Sequence, residues 1–379
     1  MKSVLVNIIN LSKEGIQIIW LIKIKKLESL GCRVTLNCGV FIKEISLKDR
    51  DVYRFNEQFS ELATLPQLTF NRFRYIAYAF SRNVKAFLKL PKILSYQYDV
   101  IYTPTSVLEF LLLPFLIKVL LKNTKWVAVF DNTVPFWGPG NKVVRVLAWI
   151  FFNISLLLLR KADKIYAISP DLRSYLLGKG FSDDAVIVTG NAVESALIRC
   201  AKVDSQYNID ILFMGRLNEK KGIFDMLEVL DVVKKEYPQI QLGILGQGDS
   251  VIVAAFKNTI KARGMDNNVQ FFGYKTGLEK YTILKSSKCF LFLSYDESFG
   301  VALLEAVCAG KFAFVYDLAP FRKIYQSEEV HVFNKGDFMS IGQNMVKFFQ
   351  KGEYLNTKGE LLLDKYDWDN IAQLEYDAF

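Results

Sequence analysis

From Ile209 onward the chain alternates short apolar runs with stretches of helical period. The runs Ile209–Met214, Gln241–Leu245, Val269–Phe272, Cys289–Leu293, Phe312–Tyr316 and Val330–Phe333 are four to six residues long. Between them, Lys221–Tyr237, Asp249–Arg263, Gly277–Ser286 and Phe299–Ala309 read as helices. A strand that is apolar along its whole length needs cover on both faces, and intervening helices supply it. The alternation therefore predicts a parallel, doubly wound α/β sheet. Ligands of such sheets bind beyond the carboxyl ends of the strands.

The first half repeats the theme less regularly. Val4–Ile9, Val34–Asn37, Val100–Tyr102, Trp126–Phe130, Lys164–Ile168 and Val186–Val188 read as strands, and Gly15–Leu30 as a helix stopped by Gly31. A polar stretch, Arg199–Asn208, separates the halves. At 379 residues the chain is long enough for two domains. The division expected is 1–200 and 205–365, with 366–379 packing back on the first domain. In that segment Trp368-Asp369 precedes Ile371 and Leu374 at helical spacing.

Charge separates the halves further. Of the net +9, residues 1–200 carry 27 basic against 15 acidic side chains, or +12, and the rest 21 against 24, or −3. Such asymmetry suggests that the first half meets an anionic surface. Asn71–Leu94 sorts Phe73, Ile76, Phe80, Val84, Phe87 and Leu88 onto one stripe, and Arg82, Lys85, Lys89 and Lys92 onto another. It reads as an amphipathic membrane-surface helix, with an ordinary packed helix as the alternative. Val107–Leu121 and Val146–Leu159 are shorter than the ~20 residues a span needs and are expected to be buried helices. No nucleic-acid recognition motif is present.

Five cysteines without a Cys-x-x-Cys pair argue for a reduced compartment and against zinc. The single histidine, His331, sits in a strand-like run. A His-based triad or His metal cluster is thereby excluded. The Asp-x-Asp matches at Asp49–Asp51 and Asp367–Asp369 do not follow strand ends and read as surface or capping residues. The opening apolar run is too short for a leader peptide. The expected location is cytoplasmic, peripheral at the inner face of the cell membrane, with no cofactor and no metal.

Chemistry concentrates after Cys289–Leu293. Glu297 falls on the loop and Glu305 in the following apolar helix, eight residues on, a rise of about 12 Å if helical. Between them lie free helix N–H groups, a seat for phosphate. Two carboxylates in so apolar an element need partners. The spacing suits a nucleotide-sugar, and a turn Glu with a solvated helical Glu is the plain alternative. Gly215 lets the backbone after Ile209–Met214 approach a ligand. Arg216 and Lys221 bring two cations to that strand end, where they can replace a metal over a diphosphate. Read singly, this is a solvated basic turn. Gly243–Asp249, including Gly246, forms a glycine-rich strand-to-helix turn, and Tyr274 after Gly273 is placed to edge a nucleobase.

Taken in order, Gly-Arg…Lys-Gly, Gly-x-Gly-Asp, Phe-x-Gly-Tyr and Glu-x7-Glu with Ala306…Gly310 resemble the family 4 retaining glycosyltransferases of GT-B fold (glycosyl transferases group 1). The likeness covers about residues 205–335. Thr189–Val193, Ala162–Ser169 and Trp368-Asp369 resemble further segments of the family. The resemblance implies two Rossmann-like domains facing a cleft. It also implies transfer of a hexosyl group from a UDP- or GDP-linked donor to a lipid-linked or glycan acceptor, without metal. Arg216 and Lys221 would bind the diphosphate, and Glu305 the ribose. Glu297 would bind the donor sugar near the amides of Phe299, Gly300 and Val301. Gly15 would let the first loop approach the donor phosphate or the acceptor. Where many members carry a His, this chain has Phe130, and the role is unfilled or passes to Asp131 or Asn132. Glu14 replaces one Gly of the family's Gly-Gly loop. A nucleotide-sugar 2-epimerase of the same fold and a non-catalytic sugar-nucleotide-binding subunit are the alternatives.

Overall fold

A computed structural model describes residues 2–8, 16–38, 54–55, 83–84, 87–88, 90–137, 142–325, 329–355 and 359–379. It forms two compact units, Met1–Gly190 with Trp368–Phe379, and Asn191–Asp367.

In the first unit β1 (Ser3–Ile8), β2 (Arg33–Cys38), β3 (Arg54–Phe55), β4 (Val100–Thr103), β5 (Lys125–Phe130), β6 (Lys164–Ala167) and β7 (Val186–Val188) make one sheet in the order β3-β2-β1-β4-β5-β6-β7. Every pair is parallel. Val4 of β1 lies between Val34 of β2 and Val100 of β4, and all three are buried. The two-residue β3 has no counterpart among the expected strands.

The helix Trp368–Asp377 belongs to this unit and brings a buried charge with it. Lys23, from helix α1 (Ile16–Ser29), donates to Glu375 Oε1 at 2.7 Å and to the Tyr102 hydroxyl at 3.1 Å. Tyr102 donates to Glu375 Oε2 at 2.9 Å, and Tyr166 to the Glu375 carbonyl at 2.7 Å. Glu375 is 0% exposed. A carboxylate so buried persists because each of its oxygens is hydrogen-bonded. Burial, then the Glu375 charge, push the Tyr102 phenol well above its ordinary range.

Two apolar helices pack together beyond β4 and β5, α2 (Leu108–Leu120) and α3 (Lys142–Leu159). In α2, Phe110, Leu111, Leu113 and Ile117 are buried, as expected. In α3 the expectation of a buried helix is wrong. Phe152, Ser155, Leu156 and Leu159 are buried, whereas Val143, Leu147, Ile150, Ile154 and Leu157 are 36–68% exposed. By length and composition α3 could cross a membrane, with 18 residues and a mean hydropathy of 1.9, and 22% of it is buried. An apolar run states what a helix's surface is made of and leaves open what covers it. Most of Asn71–Leu94, including Arg82, Lys85 and Lys89, lies outside the described residues; Lys92 falls in a short helix, Leu90–Ser95.

The second unit has β8 (Ile209–Met214), β9 (Leu242–Leu245), β10 (Val269–Gly273), β11 (Ser287–Phe292), β12 (Phe312–Tyr316) and β13 (Val330–Phe333), ordered β10-β9-β8-β11-β12-β13 and all parallel. Ile211, Leu212, Phe213, Phe290 and Phe314 fill its core. His331 is a strand residue stacked on Phe314, with ring centroids 4.9 Å apart, and burial lowers its imidazole pKa. The strand order reverses between β8 and β11, the place where doubly wound sheets open a crevice for ligands.

Candidate active site

The loops after β8 and β11 meet at that reversal. Gly222, with φ 66°, sits where a Cβ would overlap the Leu293 carbonyl oxygen, so only glycine lets the two loops touch. Asn218 caps the short turn before it by accepting from the Lys221 N–H at 3.0 Å. Lys221 thereby reaches across and forms an ion pair with Glu297, its Nζ 5.6 Å from the centre of the Phe292 ring. The structure thus joins the residue expected at the diphosphate and the one expected at the donor sugar, from positions 76 apart in sequence. Arg216 is exposed at the same strand end.

The loop carrying Glu297 is fastened by groups that the sequence motifs did not reveal. The Tyr295 N–H donates to the Lys220 carbonyl at 2.8 Å, and its hydroxyl to Asp225 at 2.5 Å. Asp225 opens helix α4 (Ile223–Lys234) and also accepts from Tyr316 at 2.6 Å. The Tyr295–Asp225 hydrogen bond, followed by burial, raises the Tyr295 phenol pKa. Gly300, φ 85°, closes the loop and starts helix α6 (Val301–Cys308). This helix has no side-chain cap and no acidic residue in its first turn, and Val301 is half-buried. Its first amides and positive dipole end therefore suit an anion. Phe299 is 2% exposed with its ring against Tyr366, so what it can offer a ligand is backbone.

Glu305 lies in α6, 9% exposed. Its Oε1 accepts from Lys280 at 2.7 Å and from the Tyr281 hydroxyl at 2.8 Å, both on helix α5 (Gly277–Ser286). Burial, then the Glu305 charge, push the Tyr281 phenol up. Burial also raises the Glu194 carboxyl, and Lys280 opposes that shift. A buried carboxylate requires donors, and that requirement was the available signal for a cation near Glu305.

The glycine turns after β8, β9 and β10 are laced together. Leu217 N–H donates to the Gln247 carbonyl and Gly246 N–H to that of Gly273, each at 2.8 Å. A Cβ at Gly246 would overlap the Gly215 carbonyl oxygen, so one function of Gly246 is to let two turns pack. Tyr274 follows, 49% exposed.

In the first unit Asp131 follows β5. It accepts from the Thr105 hydroxyl at 2.8 Å, the Ser106 hydroxyl at 2.9 Å and the Ser106 N–H at 3.3 Å. Asn132 is exposed and accepts from Thr133 N–H at 2.8 Å. Both line a cavity of about 570 Å3. Gly15 lies outside the described residues. Among the described residues no group of three or more His, Cys, Asp or Glu is arranged to hold a metal ion.

Residues 202–356 match the family described as glycosyl transferases group 1. The chain is 28% identical over 168 residues to a phosphatidyl-myo-inositol mannosyltransferase of Mycobacterium leprae, covering 43% of this chain and 44% of that protein. It is 23% identical over 174 residues to a GDP-mannose:cellobiosyl-diphosphopolyprenol alpha-mannosyltransferase of Xanthomonas oryzae pv. oryzae, covering 45% and 46%. The chain thus spans less than half the length of these curated relatives. Among solved structures, Anabaena Alr3699/HepE in complex with UDP and glucose superposes with a TM-score of 0.72 at 14% identity, over 100% of this chain and 98% of that one. The chain has the GT-B fold, and its residues 202–356 are similar to the glycosyl transferases group 1 family.

Proposed function

We propose that this chain is a retaining glycosyltransferase. It moves a sugar from a UDP- or GDP-linked donor, held by residues 205–365, to a lipid-linked or cell-envelope glycan acceptor bound by residues 1–200. The work is done without a metal, by a peripheral protein at the cytosolic face of the cell membrane. The observation that carries this reading is the Lys221–Glu297 pair beside the bare N-terminus of α6, with Glu305 in the same helix. The names of the relatives support it, since they include a GDP-mannose enzyme and a phosphatidylinositol enzyme.

In this mechanism Arg216, Lys221 and the first amides of α6 hold the diphosphate. They stabilise the charge that grows on it as the bond to the anomeric carbon breaks. Glu297 accepts donor-sugar hydroxyls, and Glu305 the ribose hydroxyls. The acceptor oxygen attacks from the face that the diphosphate leaves, and a phosphate oxygen takes the acceptor proton. No separate base is required.

The test is nucleoside diphosphate release by purified protein from UDP- and GDP-sugars, with and without lipid acceptors, in EDTA. Transfer in EDTA with the anomeric configuration retained by NMR is expected. Donor epimerised without acceptor would make the chain an epimerase, and binding without turnover a non-catalytic subunit. Loss of activity in EDTA, restored by manganese, would refute metal independence.

A further inference from the structure

The loop that carries Glu297 is restrained on both sides of it. On the far side the Gly300 carbonyl accepts from the buried Tyr325 hydroxyl at 3.2 Å. On the near side Tyr295 is engaged at each of its polar atoms. Its N–H donates to the Lys220 carbonyl, its carbonyl accepts from Lys335 Nζ at 2.8 Å, and its hydroxyl donates to Asp225. Its ring meets that of Tyr316 edge-on, with centroids 5.4 Å apart. Yet Tyr295 is 39% exposed. A side chain that removes so little surface from water while making so many directed contacts is better explained by restraint than by burial.

Asp225 is the common point of these restraints. It lies in the first turn of α4, the helix that follows Lys221 and Gly222. Its Oδ2 accepts from Tyr295 and also from Tyr316, which is 0% exposed at the end of β12. One carboxylate oxygen thus ties together the helix after Lys221, the loop before Glu297 and the core of the sheet. The Lys221–Glu297 ion pair cannot supply this restraint in a complex with donor, because there Lys221 serves the diphosphate. Glu297 then needs another reason to stay in place, and a misplacement of about 1 Å at a reacting centre can cost on the order of 100-fold.

We propose that Asp225 is a positioning residue for the donor sugar. Acting through Tyr295, it holds Glu297 at the sugar hydroxyls once Lys221 has turned to the diphosphate. This rests on the reading of the second unit as a nucleotide-sugar site, and extends it to a residue that binds no part of the donor.

The experiment is calorimetry on the whole protein with UDP-glucose against UDP and GDP-mannose against GDP. The readout is the ratio of sugar-nucleotide affinity to nucleoside diphosphate affinity, which Glu297 governs and a general loosening of the unit does not. Glu297→Ala should lower that ratio. Tyr295→Phe keeps the ring and removes the hydroxyl; it should lower the ratio by about tenfold, with nucleoside diphosphate affinity held within about twofold. Asp225→Ala should do the same. Asp225→Asn, whose amide oxygen still accepts from both phenols, should restore most of the ratio. In a Glu297→Ala background Tyr295→Phe should have almost no further effect, since coupled residues are not additive. If Asp225→Ala does not fold, Tyr295→Phe decides. An unchanged ratio in Tyr295→Phe, a parallel loss of nucleoside diphosphate affinity, or the same loss with Glu297 already removed would overturn the proposal. So would a ratio indifferent to Glu297→Ala. Sugar transfer by a protein whose ratio ignores Tyr295→Phe would sink this inference and leave the proposed function standing. The expected ratios without any sugar transfer would do the reverse, and a wild type that binds neither sugar nucleotide would overturn both.

Discussion

The two units share one strand order and treat their strand ends in opposite ways. Beyond β8 and β11 the second unit sets an ion pair, a tyrosine–aspartate latch and a glycine contact, all polar or backbone in character. Beyond β4 and β5 the first unit sets apolar helices around a cavity of about 570 Å3. A parallel sheet dictates where a site forms, at the carboxyl edge, and leaves its chemistry to the loops. On the proposed function, one edge serves a water-soluble nucleotide and the other an amphiphile.

The largest effect should come from Glu375→Ala, which leaves Lys23 buried without its partner. Such losses cost about 3–5 kcal/mol. All five tryptophans lie in the first unit, so tryptophan fluorescence during urea unfolding reports that unit alone. Its midpoint should fall while nucleoside diphosphate affinity stays constant. If affinity falls with it, the units are not as separate as the comparison holds.

Lys221→Ala should act on the other side. Removing an electrostatic contact to a leaving group costs on the order of 3 kcal/mol of barrier, or about 100-fold or more in kcat. The tryptophan transition should not move. An unchanged kcat would detach the Lys221–Glu297 pair from the reaction.

Lys280→Met deprives Glu305 of its charged partner. Hydrogen bonds to charged groups contribute about 1.5–3 kcal/mol, so nucleoside diphosphate affinity should drop roughly tenfold or more by calorimetry, with partial recovery in Lys280→Arg. Equal affinity in all three proteins would leave Lys280 a packing residue.

The smallest effect concerns Glu28 on α1. Burial raises its carboxyl from the model-compound value of 4.5 to about 7, and its Oε2 is buried without a hydrogen-bond partner. Above pH 7 the folded unit carries a charge that the unfolded chain would keep in water. That penalty fades as pH falls from 7 through 4.5, and below that both states are protonated. Glu28→Gln should therefore stabilise the first unit by on the order of 1 kcal/mol at pH 8 and have no effect well below pH 4.5. A gain that does not vary with pH would have another origin.

The second unit was the more legible one because its buried strands are uninterrupted apolar runs. Ile209–Met214, Phe312–Tyr316 and Val330–Phe333 form strands over the expected residues. Arg54–Phe55 could not be read, since two residues in a polar stretch carry no period. The helix Phe338–Lys351 was missed although Ile341, Met345, Phe348 and Phe349 fall on one face. At the site, Glu297 and Glu305 stood out as carboxylates in an apolar element. Lys280 did not, and neither did the pairing of Lys221 with Glu297, because these groups become neighbours only when separate strands align. The exposed face of α3 had no sequence cue, for apolarity is the same in a core and at a bilayer.

The placement of Trp368–Asp377 also bears on how the chain is made. Its Glu375 completes the buried network around Lys23, Tyr102 and Tyr166, yet residues 191–367 are synthesised in between. At 5–20 residues per second that interval is roughly 10–35 s. For that time the emerging first unit holds a lysine and two tyrosines whose partner does not yet exist, in the same unit as an apolar helix with an exposed face. On the proposed function, the order of synthesis would let the first unit reach the bilayer before its own core is closed.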